Sequence, residues 1–375
     1  MKVLIAEDDP VSRTILRRSV EKFGHECLAA EDGEKAWELF QETQEVDVII
    51  SDWMMPGIDG IEFCRRVRAV RNDVYTFFIF LTALGDRASL LEGMQAGADD
   101  YLTKPLDREE LQVRLIAASR VNSLHRQLNE KRRQLEAEMS RAARVQAELL
   151  PNEAPELDGF EVAARCVPAR EVGGDFYDWI KPGRRSTDPD CLALTLGDVM
   201  GKGMPAALLM ATARAVLRAL YYRNQPATTI NLAAKTLEVD LLRSASFLTL
   251  FHARLDVASR RLQYIDAGHG HAFVRRADGT LEKVREGGLP LGILPDEIYQ
   301  EGSVMFGPGD ALVLYSDGLV DAYPDSALDM ATIAEHLRGA MSAEEMVDRL
   351  VQIPPPTDSL PDDLTVVVLY CREES

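Results

Sequence analysis

Residues 46–52 read VDVIISD, an apolar run that stops on a carboxylate. Unbroken runs of this kind suit strands buried on both faces, as in a parallel sheet covered by helices. The first 120 residues hold further runs at 3–6 (VLIA), 27–30 (CLAA), 77–83 (FFIFLTA) and 99–103 (DDYLT), with helix-like intervals between them. That alternation predicts a doubly wound α/β domain of five strands and five helices. In such sheets the ligand crevice lies at the carboxyl ends of the strands.

The polar residues sit at those ends: Glu7 and Asp8 after VLIA, Asp52 after VDVIIS, Thr82 within FFIFLTA, and Lys104 just past DDYLT. A doubly wound sheet brings them to one edge. Three crowded carboxylates repel one another unless a divalent cation lies between them, and hard oxygen ligands suit Mg²⁺. A lysine and a hydroxyl beside them can meet an anion, an arrangement suited to phosphoryl transfer onto a carboxylate. Asp9 reads differently, as a helix N-cap before Pro10.

Residues 107–150 contain no proline or glycine, and Asp107 with Glu110 has the spacing of a capping box. One helix is predicted there. Val121, Leu128, Leu135, Ala142 and Leu149 recur every seven residues, with Leu124 and Val145 between them, so the helix carries a coiled-coil seam. Lys131 and Glu138 interrupt it; an amphipathic helix packed on its own protein is the alternative. Pro151 ends the helix and marks a boundary.

Beyond it come strand-like runs (FEVAARCV, CLALTLGDV, LTLFHARLD, RLQYIDAG, ALVLYSDG, LTVVVLY) and helical stretches at 205–221 and 329–350. Segregated strands and helices predict an α+β domain on two packed sheets. Segment 181–190 reads as an exposed loop. Four aspartates, Asp175, Asp198, Asp317 and Asp362, stand beside glycines or turns at strand ends, in EVGGDFYDW, LGDVMGKG, YSDGLVDA and LPDDLTVVV. Oxygen donors without a His or Cys cluster favour Mg²⁺ or Mn²⁺ over zinc. Two such ions can activate a water and hold a phosphate oxygen, which splits a phosphoester directly.

Composition narrows the choice. A net charge of −19 over 375 residues argues against a nucleic-acid binder, and no basic stripe or helix-turn-helix pattern appears. The five cysteines have no Cys-x-x-Cys spacing, as expected of reduced thiols in a cytoplasmic protein. No uncharged apolar stretch is long enough to cross a bilayer, and the run in MKVLIAEDDP is too short for a signal peptide.

VLIAEDDP, SDWMMPGIDG, LTA and YLTKP, in this order and spacing, resemble the receiver domain of two-component response regulators, which has a flavodoxin-like fold. The resemblance implies that Asp52 accepts a phosphoryl group from a histidine kinase or a small acyl phosphate. It also implies that Glu7, Asp8, Asp52 and the Met54 carbonyl hold Mg²⁺, that Lys104 pairs with the phosphate, and that Thr82 and Tyr101 form the switch. Gly57 and Gly60 would shape the loop after Asp52. From QAELLP at 146–151 through DDLTVVV the chain resembles the metal-dependent PPM (PP2C-type) serine/threonine phosphatases. The likeness is to the bacterial branch acting on anti-anti-sigma factors in sporulation and stress response. This implies two Mn²⁺ or Mg²⁺ held by Asp175, Asp198, Asp317, Asp362 and the Val199 carbonyl, and a STAS-type phosphoprotein as substrate.

His269 is expected to be a hydrogen-bonded structural residue, Asp178 a cap or an indirect support, and Asp363 a neighbour of the site. Phe176, Tyr177 and Trp179 are expected to be core. The resulting reading is a receiver at 1–120, a helical linker at 107–150 that forms a homodimer, and a phosphatase domain at 151–375. The competing reading is an adaptor that binds a sigma or anti-sigma partner without hydrolysis.

Overall fold

The computed structural model describes residues 1–43, 45–70, 74–83, 87–181, 191–221, 225–322, 328–354 and 360–373. The chain divides into two compact units, Met1–Ala137 and Glu138–Ser375.

The first unit alternates strands and helices: β1 (Lys2–Ala6), α1 (Pro10–Lys22), β2 (Glu26–Ala30), α2 (Gly33–Glu42), β3 (Val48–Asp52), α3 (Gly60–Ala69), β4 (Phe77–Ala83), α4 (Arg87–Gln95), β5 (Asp100–Lys104) and α5 (Arg108–Leu149). The strands form one sheet in the order β2-β1-β3-β4-β5, and every pair is parallel. The apolar runs are continuous because both faces are covered. Leu4, Ile49 and Phe78 enter one core with Phe63 of α3, while Val3, Ile5, Ile50 and Ile79 enter the other with Leu16 of α1 and Leu111 and Leu115 of α5. Asp9 caps α1 by accepting from Ser12 N at 2.7 Å. Asp107 precedes α5 and accepts from Glu109 N at 2.8 Å. Glu110 pairs with Arg114 rather than closing a capping box.

Helix α5 runs for 42 residues without interruption. Val121 packs on the core of the first unit, and Asn122 and Arg126 bond to Asp47. Beyond that point Leu124, Leu128, Leu135 and Val145 are exposed.

The second unit contains β6 (Phe160–Val167), β7 (Phe176–Ile180), β8 (Cys191–Val199), α6 (Met204–Tyr221), α7 (Pro226–Arg243), β9 (Leu248–Asp256), β10 (Arg261–Ala267), β11 (Ala272–Arg275) and β12 (Leu281–Lys283). It continues with β13 (Gly287–Gly288), β14 (Gly302–Met305), β15 (Ala311–Tyr315), α8 (Gly318–Asp321), α9 (Met330–His336), α10 (Ala343–Val351) and β16 (Leu364–Cys371). One sheet runs β13-β10-β9-β8-β7, with β14 beside β10; the other runs β12-β11-β15-β16-β6.

Strand alternation separates three cores. Leu192, Leu194 and Leu196 of β8 face Leu312, Leu314, Val367 and Leu369 of the opposite sheet in the central core. The outer face of the first sheet packs on α6 and α7, and that of the second on α8, α9 and α10. The expected helix over 329–350 is two helices, since Gly339 between them has φ +77° and leaves the helical region. The loop expected at 181–190 lies outside the described residues except for Lys181. Phe176 belongs to the core beneath α6, and Tyr177 and Trp179 to the central core, as expected.

Candidate functional site

In the first unit the parallel register carries the expected residues to one edge. Ala6 lies beside Ser51, Asp52 beside Leu81, and Thr82 beside Thr103, so the strands finish together. Oxygens of Glu7, Asp8 and Asp52 lie within 4.8 Å of one another, the one such acidic or metal-ligating group among the described residues. Glu7 is fully buried, Asp52 is half-buried and Asp8 is exposed.

Lys104 Nζ is 2.7 Å from Asp52 Oδ2 and 3.0 and 2.9 Å from the Glu7 oxygens. Burial pushes the Glu7 carboxyl up, Lys104 opposes this, and the Asp52 charge adds to it. Burial works to depress the Lys104 ammonium, but its bonds to Asp52 and Glu7 outweigh that and raise it. The crevice has the high negative density that a cation would offset, with one ammonium in place to meet an anion. Gly60 has a steric reason, because a Cβ there would lie 2.2 Å from the Asp52 carbonyl. Gly57 turns the loop at φ +76°. Met54 lies in that loop with its side chain exposed, and Tyr101 is 36% exposed on β5.

In the second unit Asp175 precedes β7, Asp198 is next to last in β8, Asp317 follows β15, and Asp362 precedes β16. Their charges act on one another. Burial, then the Asp198 charge, pushes the Asp175 carboxyl well above its usual range. Burial, then the Asp317 charge, pushes Asp198 up to about 7. Burial, then Asp362, raises Asp317. Asp175 Oδ2 is buried and has no hydrogen-bond donor. Mutually repelling carboxylates with an orphaned buried oxygen fit divalent cations. No three of these aspartates bring oxygens within 4.8 Å, so the row is more open than the trio at Asp52.

Sequence reasoning missed the support for this row. Asp363 is not merely adjacent: its carboxylate accepts from Ala169 N at 2.8 Å, Gly174 N at 2.8 Å and Asp175 N at 3.5 Å, and so holds the double-glycine turn. Gly173 must be glycine, since a Cβ there would be 1.9 Å from Asp363 Oδ2. Ser316 Oγ donates to the Asp363 carbonyl and accepts from Thr365 N, which ties the Asp317 turn to β16. Lys202, in LGDVMGKG, lies 2.8 Å from Asp362 Oδ2.

Asp178 is neither a cap nor part of the row. It points to the opposite side of β7 and takes Arg218 at 2.5 and 2.8 Å and Arg214 at 3.2 Å. Both arginines, in the basic stretch RAVLRALYYR, are bound to Asp178. The other short basic stretch, KPGRRS, lies outside the described residues beyond Lys181. His269 is buried, its backbone N donates to Asp266 at 2.7 Å, and its Nε2 has no hydrogen-bond partner. Burial, then His271, lowers its imidazole to about 3, so it stays neutral. All five cysteines are free thiols. Among the described residues no helix is long and apolar enough to cross a membrane.

Comparison with known proteins assigns both halves. Residues 3–116 match the response regulator receiver domain, and residues 188–372 match the family described as Stage II sporulation protein E (SpoIIE). The chain is therefore a response regulator in which a receiver is joined to a PP2C-type phosphatase domain. That phosphatase domain is of the SpoIIE and RsbU kind. Phosphoserine phosphatase RsbU of Bacillus subtilis is 29% identical over 256 residues, which cover 65% of this chain and 73% of RsbU. The RsbU and RsbW domains of Rv1364c from Mycobacterium tuberculosis superpose with a TM-score of 0.51 at 26% identity, over 59% of this chain and 64% of that one. The SiaA PP2C domain of Pseudomonas aeruginosa shares the fold, with a TM-score of 0.52 at 20% identity, over 64% of this chain and 98% of that one. Other curated relatives are matched over only 33% to 54% of their length.

Proposed function

We propose that a histidine kinase phosphorylates Asp52 and that this controls hydrolysis of a phosphoserine or phosphothreonine protein by the C-terminal domain. The substrate class favoured by the likeness to RsbU is a STAS-type anti-anti-sigma protein in the cytoplasm. The observation that carries the reading is the pair of acidic crevices on one chain, each at strand ends and each in the domain whose family uses it.

In the receiver, Glu7, Asp8, Asp52 and the Met54 carbonyl would hold Mg²⁺. Asp52 presents its carboxylate to the phosphoryl donor. Lys104 already bonds to Asp52 Oδ2, and its ammonium meets the charge of the transferred group. Thr82, at the end of β4, then bonds to the phosphate, and the surface ring of Tyr101 follows it.

In the phosphatase domain, Asp175, Asp198, Asp317, Asp362 and the Val199 carbonyl would hold two Mn²⁺ or Mg²⁺. When bound, these ions supply an activated water and a clamp on the phosphate oxygens. The protein holds the aspartates apart on the end of β8 and on three turns, and ties those turns to one another through Asp363 and Ser316. The domains are assigned as receiver 1–120, linker 107–150 and phosphatase 151–375. The exposed Leu124, Leu128, Leu135 and Val145 support a homodimer through the linker.

The test is hydrolysis of an aryl phosphate with Mn²⁺, with and without beryllofluoride, for the wild type, Asp317→Ala and Asp52→Asn. Activity is expected to need Asp317, and its response to beryllofluoride to need Asp52. Activity that survives in Asp317→Ala would refute the assignment of the site.

A further inference from the structure

The last turns of α5 half-bury one polar side chain among apolar ones. Ala142, Ala143, Gln146, Leu149 and Leu150 are half-buried, at the spacing of one helical face, whereas Arg144, Val145, Ala147 and Glu148 are exposed. Leu150 packs against both the central core and the core beneath α6, so this end of the helix is seated in the phosphatase domain.

Gln146 has a specific partner. Its Nε2 donates to the Gly173 carbonyl at 2.7 Å, and its Oε1 accepts from Gly173 N at 3.1 Å. One amide thus takes both backbone groups of one residue, as a neighbouring strand would. Gly173 is gripped from another side by Asp363, whose Oδ2 occupies the place a Cβ would need and also accepts from Gly174 N. Two residues further on is Asp175, with its buried, unpartnered Oδ2.

The turn has little freedom left. Gly174 accepts from Val199 N at 3.4 Å, which sets it against the end of β8, next to Asp198. A displacement of the last turn of α5 would pull on Gly173 through two bonds and move Asp175 relative to Asp198. The glutamine is well suited to this: an aliphatic residue would pack on the same face without fixing the turn, and a shorter amide would not reach.

We propose that Gln146 is a positioning residue for the metal row, converting the placement of the helix end into divalent-metal affinity by fixing Gly173 and thereby the Asp175 carboxylate. The inference rests on the reading of Asp175 as a metal ligand. It makes the phosphatase responsive to its linker without any contact between substrate and helix.

The test uses the full-length protein with Gln146→Met, which keeps the bulk and loses both bonds, Gln146→Ala, and Asp175→Asn as reference. Mn²⁺ binding is measured by calorimetry, aryl phosphate hydrolysis is titrated with Mn²⁺, and melting is recorded without metal. Gln146→Met is expected to weaken Mn²⁺ binding tenfold or more while kcat at saturating Mn²⁺ stays within twofold of wild type and metal-free melting shifts by only a few degrees. Gln146→Ala should behave alike. If Gln146→Met binds Mn²⁺ like wild type while Asp175→Asn does not, the inference fails and the site assignment stands. Wild-type binding by Asp175→Asn overturns both. A kcat that saturating Mn²⁺ does not restore marks Gln146 as merely structural and overturns the inference.

Discussion

Gly174→Ala isolates the contact on which the metal row depends. Gly174 is not among the glycines with positive φ, so alanine meets no backbone objection there. Its methyl would stand 2.5 Å from the Val199 carbonyl oxygen, 3.3 Å from Asp198 Oδ1 and 3.4 Å from Ala206 Cβ. The carbonyl has no rotamer by which to escape: Val199 is paired with Leu248 in the sheet, and its N–H bonds to Gly174. Relief therefore comes from moving the turn or the strand end, by about 1 Å if ordinary contact at roughly 3.5 Å is to be restored.

Overpacking of this kind costs about 1–3 kcal/mol. For a domain of about 200 residues that lowers Tm by about 2–12 °C. Both displaced groups, Asp198 and the Val199 carbonyl, are proposed ligands, so Mn²⁺ affinity should fall at least tenfold in calorimetry. Gly279→Ala is the control. Gly279 has φ +87° and nothing within 4 Å of a Cβ, so alanine there costs about 1–2 kcal/mol of backbone strain and leaves Mn²⁺ binding unchanged. Wild-type Mn²⁺ affinity in Gly174→Ala, or an equal loss in Gly279→Ala, would refute the reasoning.

Asp178→Asn strands the Arg214 guanidinium, whose side chain is only 11% exposed, and should cost about 3 kcal/mol, read as a lower Tm by thermal melting. The metal row makes stability depend on pH in a defined direction. The folded Asp198 carboxyl titrates at about 7, above its unfolded value, so its contribution in the metal-free protein is full at low pH and is lost as pH rises through 7. Metal-free Tm should fall between about pH 4 and 7 and level off above, and saturating Mn²⁺ should remove most of that fall; a flat metal-free profile would contradict it. Lysine at both Leu128 and Leu135 should convert the proposed linker dimer to a monomer in light scattering, with Tm nearly unchanged because both side chains are exposed; a monomeric wild type or an unaltered mass would refute the linker interface.

The receiver was legible in the sequence because each chemical residue closes an apolar run, and a parallel sheet turns that local pattern into one edge. The placement of Asp175, Asp198, Asp317 and Asp362 was legible from the glycines and turns beside them, two near the end of a strand and two just before one. Their support was not. Asp363 acts on backbone N–H groups of residues 169–175, and Arg214 and Arg218 meet Asp178 some 40 residues away, so no short window contains both partners. Strands β7, β11 and β14 were missed for another reason: they are short, and the polar positions Asp178 of β7, Arg275 of β11 and Ser303 of β14 interrupt their apolar pattern. The helix break at Gly339 lay behind a persistent amphipathic pattern that a single glycine did not disrupt on paper.

Strand β16 lies between β15 and β6, and the residues just before it close the site: Asp362 is in the row, and Asp363 grips a turn made of residues nearly two hundred positions earlier. On the proposed assignment, a nascent chain that has not reached residue 362 holds the whole receiver sequence but lacks Asp362 and the Asp363 contacts that support the metal row. On the proposed assignment, the site is complete only once β16 is in place. A ribosome that stalls before residue 362 would, on that reading, release a product that keeps Asp52 but lacks the proposed phosphatase site.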